Sequence, residues 1–253
     1  MMSGMIQDAI VKTFRRDGVV AIRGFLSREE IDDLMDGIDR YVREIVPGLP
    51  PDEVYFEQPG RIESLQRLNR MERYDSQFDR LRKSARFVGL ANALLGEAAR
   101  PKHMLYFTKP ARIGKVTPPH QDAYYWMITP SVGITYWLSL GTADESNGCM
   151  RYVKGSHKLP LRAHADSQIL GFSQRIIDYG KTDEQAEVAF CAEPGDLLVH
   201  DGRTIHRADG NESERPRPAL GLVYFAATSR QDRARSQAYQ QKLHEKLKKE
   251  GKI

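Results

Sequence analysis

At Pro101 the pattern of the sequence changes, and that change restricts the fold more than any other feature. Downstream, short apolar or alternating runs occur at residues 103–108, 132–140, 150–153, 188–190, 196–199 and 219–226, with Gly, Pro, Asp and Asn between them. Runs this short, punctuated by turn formers, predict the strands of a sandwich or barrel. Upstream the chain reads as mostly helical. Residues 6–16 precede a short apolar strand at 19–23, and Ser27 with Glu30 forms a capping box before Ile31, Leu34 and Ile38. Residues 49–61 are rich in Pro, Gly and acid and read as loop; residues 82–95 have helical spacing and stop at Gly96. Helices followed by strands predict an α+β chain in which a helical layer supports a β-sandwich, and helix resumes from Ser229.

The 253 residues contain no Gly/Ser or Pro-rich linker, no internal repeat and no low-complexity tract, so a single domain over 1–253 is expected. Hydrophobic residues at 40% suffice for a core without disulfides. Cys149 and Cys191 are far apart in sequence and have no metal-binding spacing, which points to a reducing compartment. Asp8 and Lys12 interrupt the start, which therefore lacks the apolar core of a signal peptide. No run reaches the ~18 apolar residues of a membrane span. The expectation is a soluble, cytoplasmic protein with no membrane partner. The formal charge is +4, and residues 230–253 hold eight Lys/Arg against three Asp/Glu, which accounts for the whole excess. With Tyr239 the one aromatic among them, this is read as a solvated helix and not as a nucleic-acid surface.

His120-Gln121-Asp122 carries the first chemical signal. On a strand, residues i and i+2 share a face, so the imidazole and the carboxylate would reach one ion together. A second imidazole would complete a 2-His-1-carboxylate triad, which leaves positions on Fe(II) for O2 and a chelating cosubstrate. His200 and His206, flanking a turn at Asp201-Gly202, both qualify as ligands, and both also suit a satisfied polar role in a crowded sheet. The sequence after His206 separates them: Asn211, Ser213, Arg215 and Arg217 follow, and Arg217 opens an apolar strand. An arginine there would turn back beside the metal, and its fork of donors suits the distal carboxylate of 2-oxoglutarate.

His120-Gln121-Asp122, Asn147-Gly148-Cys149-Met150, Gly155-Ser156-His157-Lys158, Gly195-Asp196 and the series His206, Asn211, Ser213, Arg217 together resemble the phytanoyl-CoA dioxygenase family over about residues 100–226. The interval of eleven from His206 to Arg217 matches the family's spacing. The resemblance implies a double-stranded β-helix, or jelly roll, over about 99–228, with a helical part at 1–98 and a C-terminal helix at 229–253. It implies iron ligation by His120, Asp122 and His206, and 2-oxoglutarate binding by Arg217. Trp137 falls where the family often has a Trp near the cosubstrate, and plain core packing explains it equally well. His103 and Arg67 match polar and basic positions that face the cosubstrate, while His157 is read as structural. Two departures stand out. Ala208 occupies the position of a serine that contacts the cosubstrate in relatives, so that bond is expected to be either missing or supplied elsewhere, by Ser213 or Thr135. Lys154 replaces the proline of a turn.

The implied reaction consumes O2 and 2-oxoglutarate, releases succinate and CO2, and hydroxylates a small-molecule metabolite. Asp122 argues against halogenation, because halogenating relatives carry Ala or Gly there. Tyr124, Trp126 and Arg203 are candidate substrate contacts, with strand packing and an ordinary surface arginine as the competing explanations. Two rival readings are a non-catalytic jelly-roll metal-binding or regulatory protein and a cupin-type metalloenzyme that does not use 2-oxoglutarate. The presence of all three triad residues and of Arg217 opposes the first, and Arg217 at the matching spacing opposes the second.

Overall fold

The structure, a computed structural model, describes residues 4–251; the ends of the expected helical regions, at 1–3 and 252–253, lie outside the described residues. α1 (Gly4–Asp17) leads into β1 (Val19–Ile22), and α2 (Arg28–Glu44) follows. Next come β2 (Val54–Phe56), β3 (Leu65–Leu68), α3 (Ser76–Lys83) and α4 (Ala85–Leu95). The strand-rich part contains β4 (Ala99–Lys109), β5 (Thr117–His120), the short α5 (Ala123–Trp126), β6 (Ile128–Thr129), β7 (Gly133–Ser139), β8 (Met150–Val153), β9 (His164–Ile169) and β10 (Phe172–Ile176). It continues through α6 (Lys181–Ala186), β11 (Glu187–Phe190), β12 (Leu197–Asp201), β13 (His206–Ala208), β14 (Arg217–Ala226) and β15 (Arg230–Gln231) to α7 (Arg233–Lys249).

The strands form an antiparallel sandwich of the jelly-roll kind. The major sheet runs β1-β12-β7-β14-β4-β3-β2, and the minor sheet runs β11-β8-β13-β5. Alternation along the major sheet determines what each face does. Met104, Tyr106, Tyr136, Leu138, Leu197, Val199, Leu220, Leu222 and Tyr224 turn outward and share one core with the N-terminal helices. The residues between them, including Leu105, Phe107, Thr135, Trp137, His200, Arg217 and Val223, face inward and line a cavity. β7 and β14 are buried on both faces, which is why residues 133–139 and 217–226 read as near-continuous apolar runs.

The helical layer forms for reasons local to the sequence. Ser27 accepts from the backbone of Glu30, whose carboxylate in turn accepts from the Ser27 N–H, and Ile31, Leu34, Ile38 and Tyr41 then fall on one buried stripe of α2. The helix expected at 82–95 is two helices, broken at Ser84, where the backbone is extended. Gly96 ends α4 in the left-handed conformation. β2 lies within the expected loop of 49–61 and pairs with β3, extending the major sheet. The hairpin β9–β10 also went unanticipated, because its sequences, HADSQI and FSQRI, are polar and only half-buried. Among the described residues, no helix is long and apolar enough to cross a membrane.

Candidate metal and cosubstrate site

The two sheets converge on three side chains. His120 ends β5 and His206 opens β13, and these positions are direct register partners in the minor sheet. Asp122 is not in a strand: its backbone is helical (φ −57°, ψ −35°), and it caps the single turn α5. The strand alternation expected for His120 and Asp122 is therefore replaced by a turn. Gln121 holds that turn, donating to the Arg203 carbonyl (2.7 Å) and accepting from the Arg162 N–H (2.9 Å). One ligand atom from each of His120, Asp122 and His206 lies within 4.8 Å of the others. Asp122 Oδ1 is 3.5 Å from His120 Nε2 and 3.8 Å from His206 Nε2. One ion with bonds of ~2.0–2.2 Å bridges such separations.

Hydrogen bonds prepare each group for that task. His120 Nδ1 donates to the Pro118 carbonyl (2.7 Å) and His206 Nδ1 to the Thr204 carbonyl (2.9 Å). Both bonds put the proton on Nδ1 and leave Nε2 with a free lone pair. Burial, helped by the neighbouring His120 and His200, pulls the His206 pKa well below the ordinary imidazole value and keeps the ring neutral. Burial alone would raise Asp122, but His206, His120 and His200 outweigh it and hold the carboxyl well below its usual range. The other carboxylate oxygen is already engaged: Thr135 Oγ1 donates to Oδ2 (2.5 Å), and His200 Nε2 lies 3.1 Å from it. His200 Nδ1 in turn meets the buried Tyr152 hydroxyl at 3.2 Å. His200 thus stands behind the carboxylate and outside the three-atom group.

Arg217 is 3% exposed, with its guanidinium over the Trp137 ring at 5.0 Å. Among the described residues, its Nε and Nη1 have no hydrogen-bond partner. Burial draws its pKa down to about 10, still a cation at neutral pH, and a buried cation without an anion is costly. Opposite it in register, on β4, lies Lys109, which sequence reasoning missed. Lys109 is also buried and is pulled well below the ordinary lysine value, first by burial and then by Arg217. Its one sequence signal was position, as a lysine at the end of the strand that pairs with the strand of Arg217. Arg215 points elsewhere, to Asp144 (2.5 Å). Asn211 braces the entry to β14 by donating to the carbonyls of Lys109 (2.9 Å) and Arg215 (2.7 Å).

A cavity of about 490 Å³ unites these groups. His120, Asp122, His206, Arg217, Trp137, His103, Arg67 and Trp126 all line it. Arg67 packs against the rings of Phe107 (5.0 Å) and Phe172 (5.9 Å) and donates to the Gly171 carbonyl. His103 faces Glu72 at 3.7 Å. Three of the expected residues lie outside the lining. Ser213 gives its hydroxyl to Asn211 (2.9 Å), Tyr124 stacks on His164, and Arg203 turns to Asp201 (3.4 Å). Thr135 lines the cavity, but its hydroxyl is committed to Asp122, so neither residue expected to compensate for Ala208 is free to do so. His157 is buried against the Arg15 carbonyl, away from the cavity. The C-terminal helix is solvated on only one side: Tyr239, Leu243 and Leu247 of α7 line the same cavity as His120, Asp122 and His206.

The model of the phytanoyl-CoA dioxygenase family matches residues 14–219, most of the chain. The chain belongs to the phytanoyl-CoA dioxygenase family. Bovine peroxisomal phytanoyl-CoA dioxygenase is 25% identical over 229 residues, covering 85% of this chain and 67% of that protein. A probable alpha-ketoglutarate-dependent hypophosphite dioxygenase of Stutzerimonas stutzeri is 26% identical over 216 residues, covering 83% of this chain and 75% of that one. Among solved structures, EvdO2 from Micromonospora carbonacea var. aurantiaca complexed with 2-oxoglutarate matches with a TM-score of 0.71 and 26% identity, over 92% of this chain and 94% of that one. The epimerase SnoN in complex with Fe3+, alpha ketoglutarate and nogalamycin RO matches with a TM-score of 0.74 at 23% identity, over 90% and 86%. The family is one of 2-oxoglutarate-dependent dioxygenases, and the donor set here fits its cofactors: two imidazoles and a carboxylate for iron, and a buried arginine with two nitrogens unpartnered among the described residues for a dicarboxylate.

Proposed function

We propose that this dioxygenase hydroxylates a small organic molecule, with His120, Asp122 and His206 holding Fe(II) and Arg217 holding the far carboxylate of 2-oxoglutarate. The observation that carries the reading is Arg217. Two of its nitrogens are buried with no hydrogen-bond partner among the described residues, and it lines the same cavity as the three candidate ligands. Iron and 2-oxoglutarate together supply O2 activation coupled to oxidative decarboxylation. The chain's own residues do the rest. His120 and His206 present Nε2, and Thr135 and His200 hold Asp122 Oδ2 so that Oδ1 faces the imidazoles. Lys109, opposite Arg217 in register, lines the same cavity and gives its Nζ to the Lys115 carbonyl. The substrate occupies the remaining space between Tyr125, Phe172 and Val223 on the jelly roll and Leu243 and Leu247 on α7. Those walls favour an apolar or aromatic body near the metal.

Arg217→Ala should raise the dissociation constant for 2-oxoglutarate by ~30-fold or more, the cost of unpairing a buried charge contact. Metal affinity should be unchanged within a factor of about two to three. Arg215→Ala, which removes a guanidinium that meets Asp144 and Ser146, should leave both constants at the wild-type values. Calorimetric titration of the metal-loaded protein checks all three, and succinate release with candidate substrates tests turnover. Wild-type 2-oxoglutarate affinity in Arg217→Ala would refute the assignment.

A further inference from the structure

The two cysteines, 42 positions apart, meet at the end of the minor sheet. β8 and β11 are antiparallel, with Met150 opposite Phe190 as their last paired residues. One step further along each strand puts Cys149 across from Cys191. Ala192 then bridges Ala143 through two backbone hydrogen bonds (2.7 and 2.9 Å), and the Cys149 N–H donates to the Asp144 carbonyl (2.9 Å), so the backbone is held on both sides of the pair. Facing positions of an antiparallel pair have Cα atoms about 4.5–5.5 Å apart. A disulfide needs about 4.4–6.8 Å. The environments of the two thiols differ. Cys149 is 1% exposed and packs in one cluster with Trp137, Met150 and Ala208, whereas Cys191 is exposed. Burial, followed by the neighbouring thiol, pushes Cys149 up to about 12, so it does not start the reaction.

We propose that Cys149 and Cys191 form a reversible dithiol–disulfide site that takes its oxidising equivalents from a small disulfide such as oxidised glutathione. The Cys191 sulfur attacks one glutathione sulfur, making a mixed disulfide and releasing one glutathione thiol. The Cys149 sulfur then attacks Cys191, an S–S bond forms between the cysteines, and the second glutathione leaves with the Cys149 proton. Two protein thiols are oxidised and one disulfide is reduced to two thiols. Cys149 packs in the same buried cluster as Trp137, whose ring lies 5.0 Å from the Arg217 guanidinium, so drawing Cys149 into a bond with Cys191 disturbs the wall behind Arg217. That consequence rests on the cosubstrate reading above; the disulfide itself does not.

The test uses the full chain, metal-loaded, equilibrated in glutathione buffers of increasing oxidised fraction and then alkylated after denaturation. The expected result is loss of both alkylatable thiols together, a mass lower by two hydrogens, and a linked peptide joining Cys149 to Cys191, all reversed by excess reduced glutathione. Cys191→Ser, at an exposed position that leaves the core untouched, should give no link and an unmodified Cys149. A stable glutathione adduct on Cys191 with Cys149 still alkylatable, or a disulfide only between chains, would overturn the proposal. The oxidised form should bind 2-oxoglutarate about fivefold or more weakly, the low end of coupling between sites. An unchanged affinity with the bond formed overturns the coupling. Failure of the reduced protein to bind 2-oxoglutarate would count against the cosubstrate reading instead.

Discussion

The two oxygens of Asp122 have separate tasks. Oδ2 is fixed by Thr135 (2.5 Å) and faces His200 Nε2 (3.1 Å), and this leaves Oδ1 directed at the imidazoles of His120 and His206. A carboxylate free to rotate would lose that direction. Thr135→Val keeps the shape of the side chain and removes the hydroxyl, so Fe(II) affinity should fall about tenfold, the low end for groups that orient a ligand. Anaerobic Fe(II) titration of the variant measures this, and an unchanged affinity would show that His200 suffices alone. The same arrangement explains why His200 and His206 were hard to separate in the sequence. Both rings are buried, and both lie near Asp122. They differ in what each nitrogen meets, which no spacing encodes.

At the scale of elements, legibility followed amphipathic pattern. The capping box of α2, the apolar runs of β7 and β14 and the left-handed end of α4 were readable because each is set by its own residues. β9 and β10 were not, because polar strands that pair mainly with each other carry no apolar alternation. The role of α7 was equally hidden. Its basic outer face dominates the composition, while its contacts with the cavity depend on the Tyr239–Ser173 hydrogen bond (2.6 Å) and the Lys246–Asp166 ion pair. The turn before β8 illustrates how a motif becomes geometry. Gly148 has φ +80°, and a Cβ there would lie 2.3 Å from the Asp209 carbonyl, so only glycine fits. Asp144 holds this turn by accepting from Ser146 and from Arg215, and those bonds lower its pKa from 3.8 to about 2. A depressed carboxylate stabilises the fold above its unfolded value, and that contribution disappears as pH falls from 3.8 toward 2. Asp144→Asn should therefore lose up to ~1 kcal/mol at neutral pH, an exposed pair being screened. Its acid-unfolding curve should converge with that of wild type at the low end of that interval, as followed by circular dichroism against pH.

In the whole molecule, the site is distributed between the sheets. His120 and His206 belong to the minor sheet, whereas Thr135, His200, Trp137 and Arg217 come from the major one. Metal and 2-oxoglutarate are therefore expected to raise the melting temperature in two steps, each following its own affinity, with ~2.7 kcal/mol at a hundredfold excess over Kd. Arg217→Ala should keep the metal step and lose the second, and a chelator should remove both; differential scanning calorimetry distinguishes the cases.

With the proposed site, residues of both sheets hold iron and 2-oxoglutarate between them, so the stability of the sandwich is expected to follow the supply of both. When metal or oxo acid is scarce, the fraction of chains that open rises, and it is open chains that proteases cut. Scarcity then acts twice, first by emptying the site and then by thinning the population of molecules that carry it.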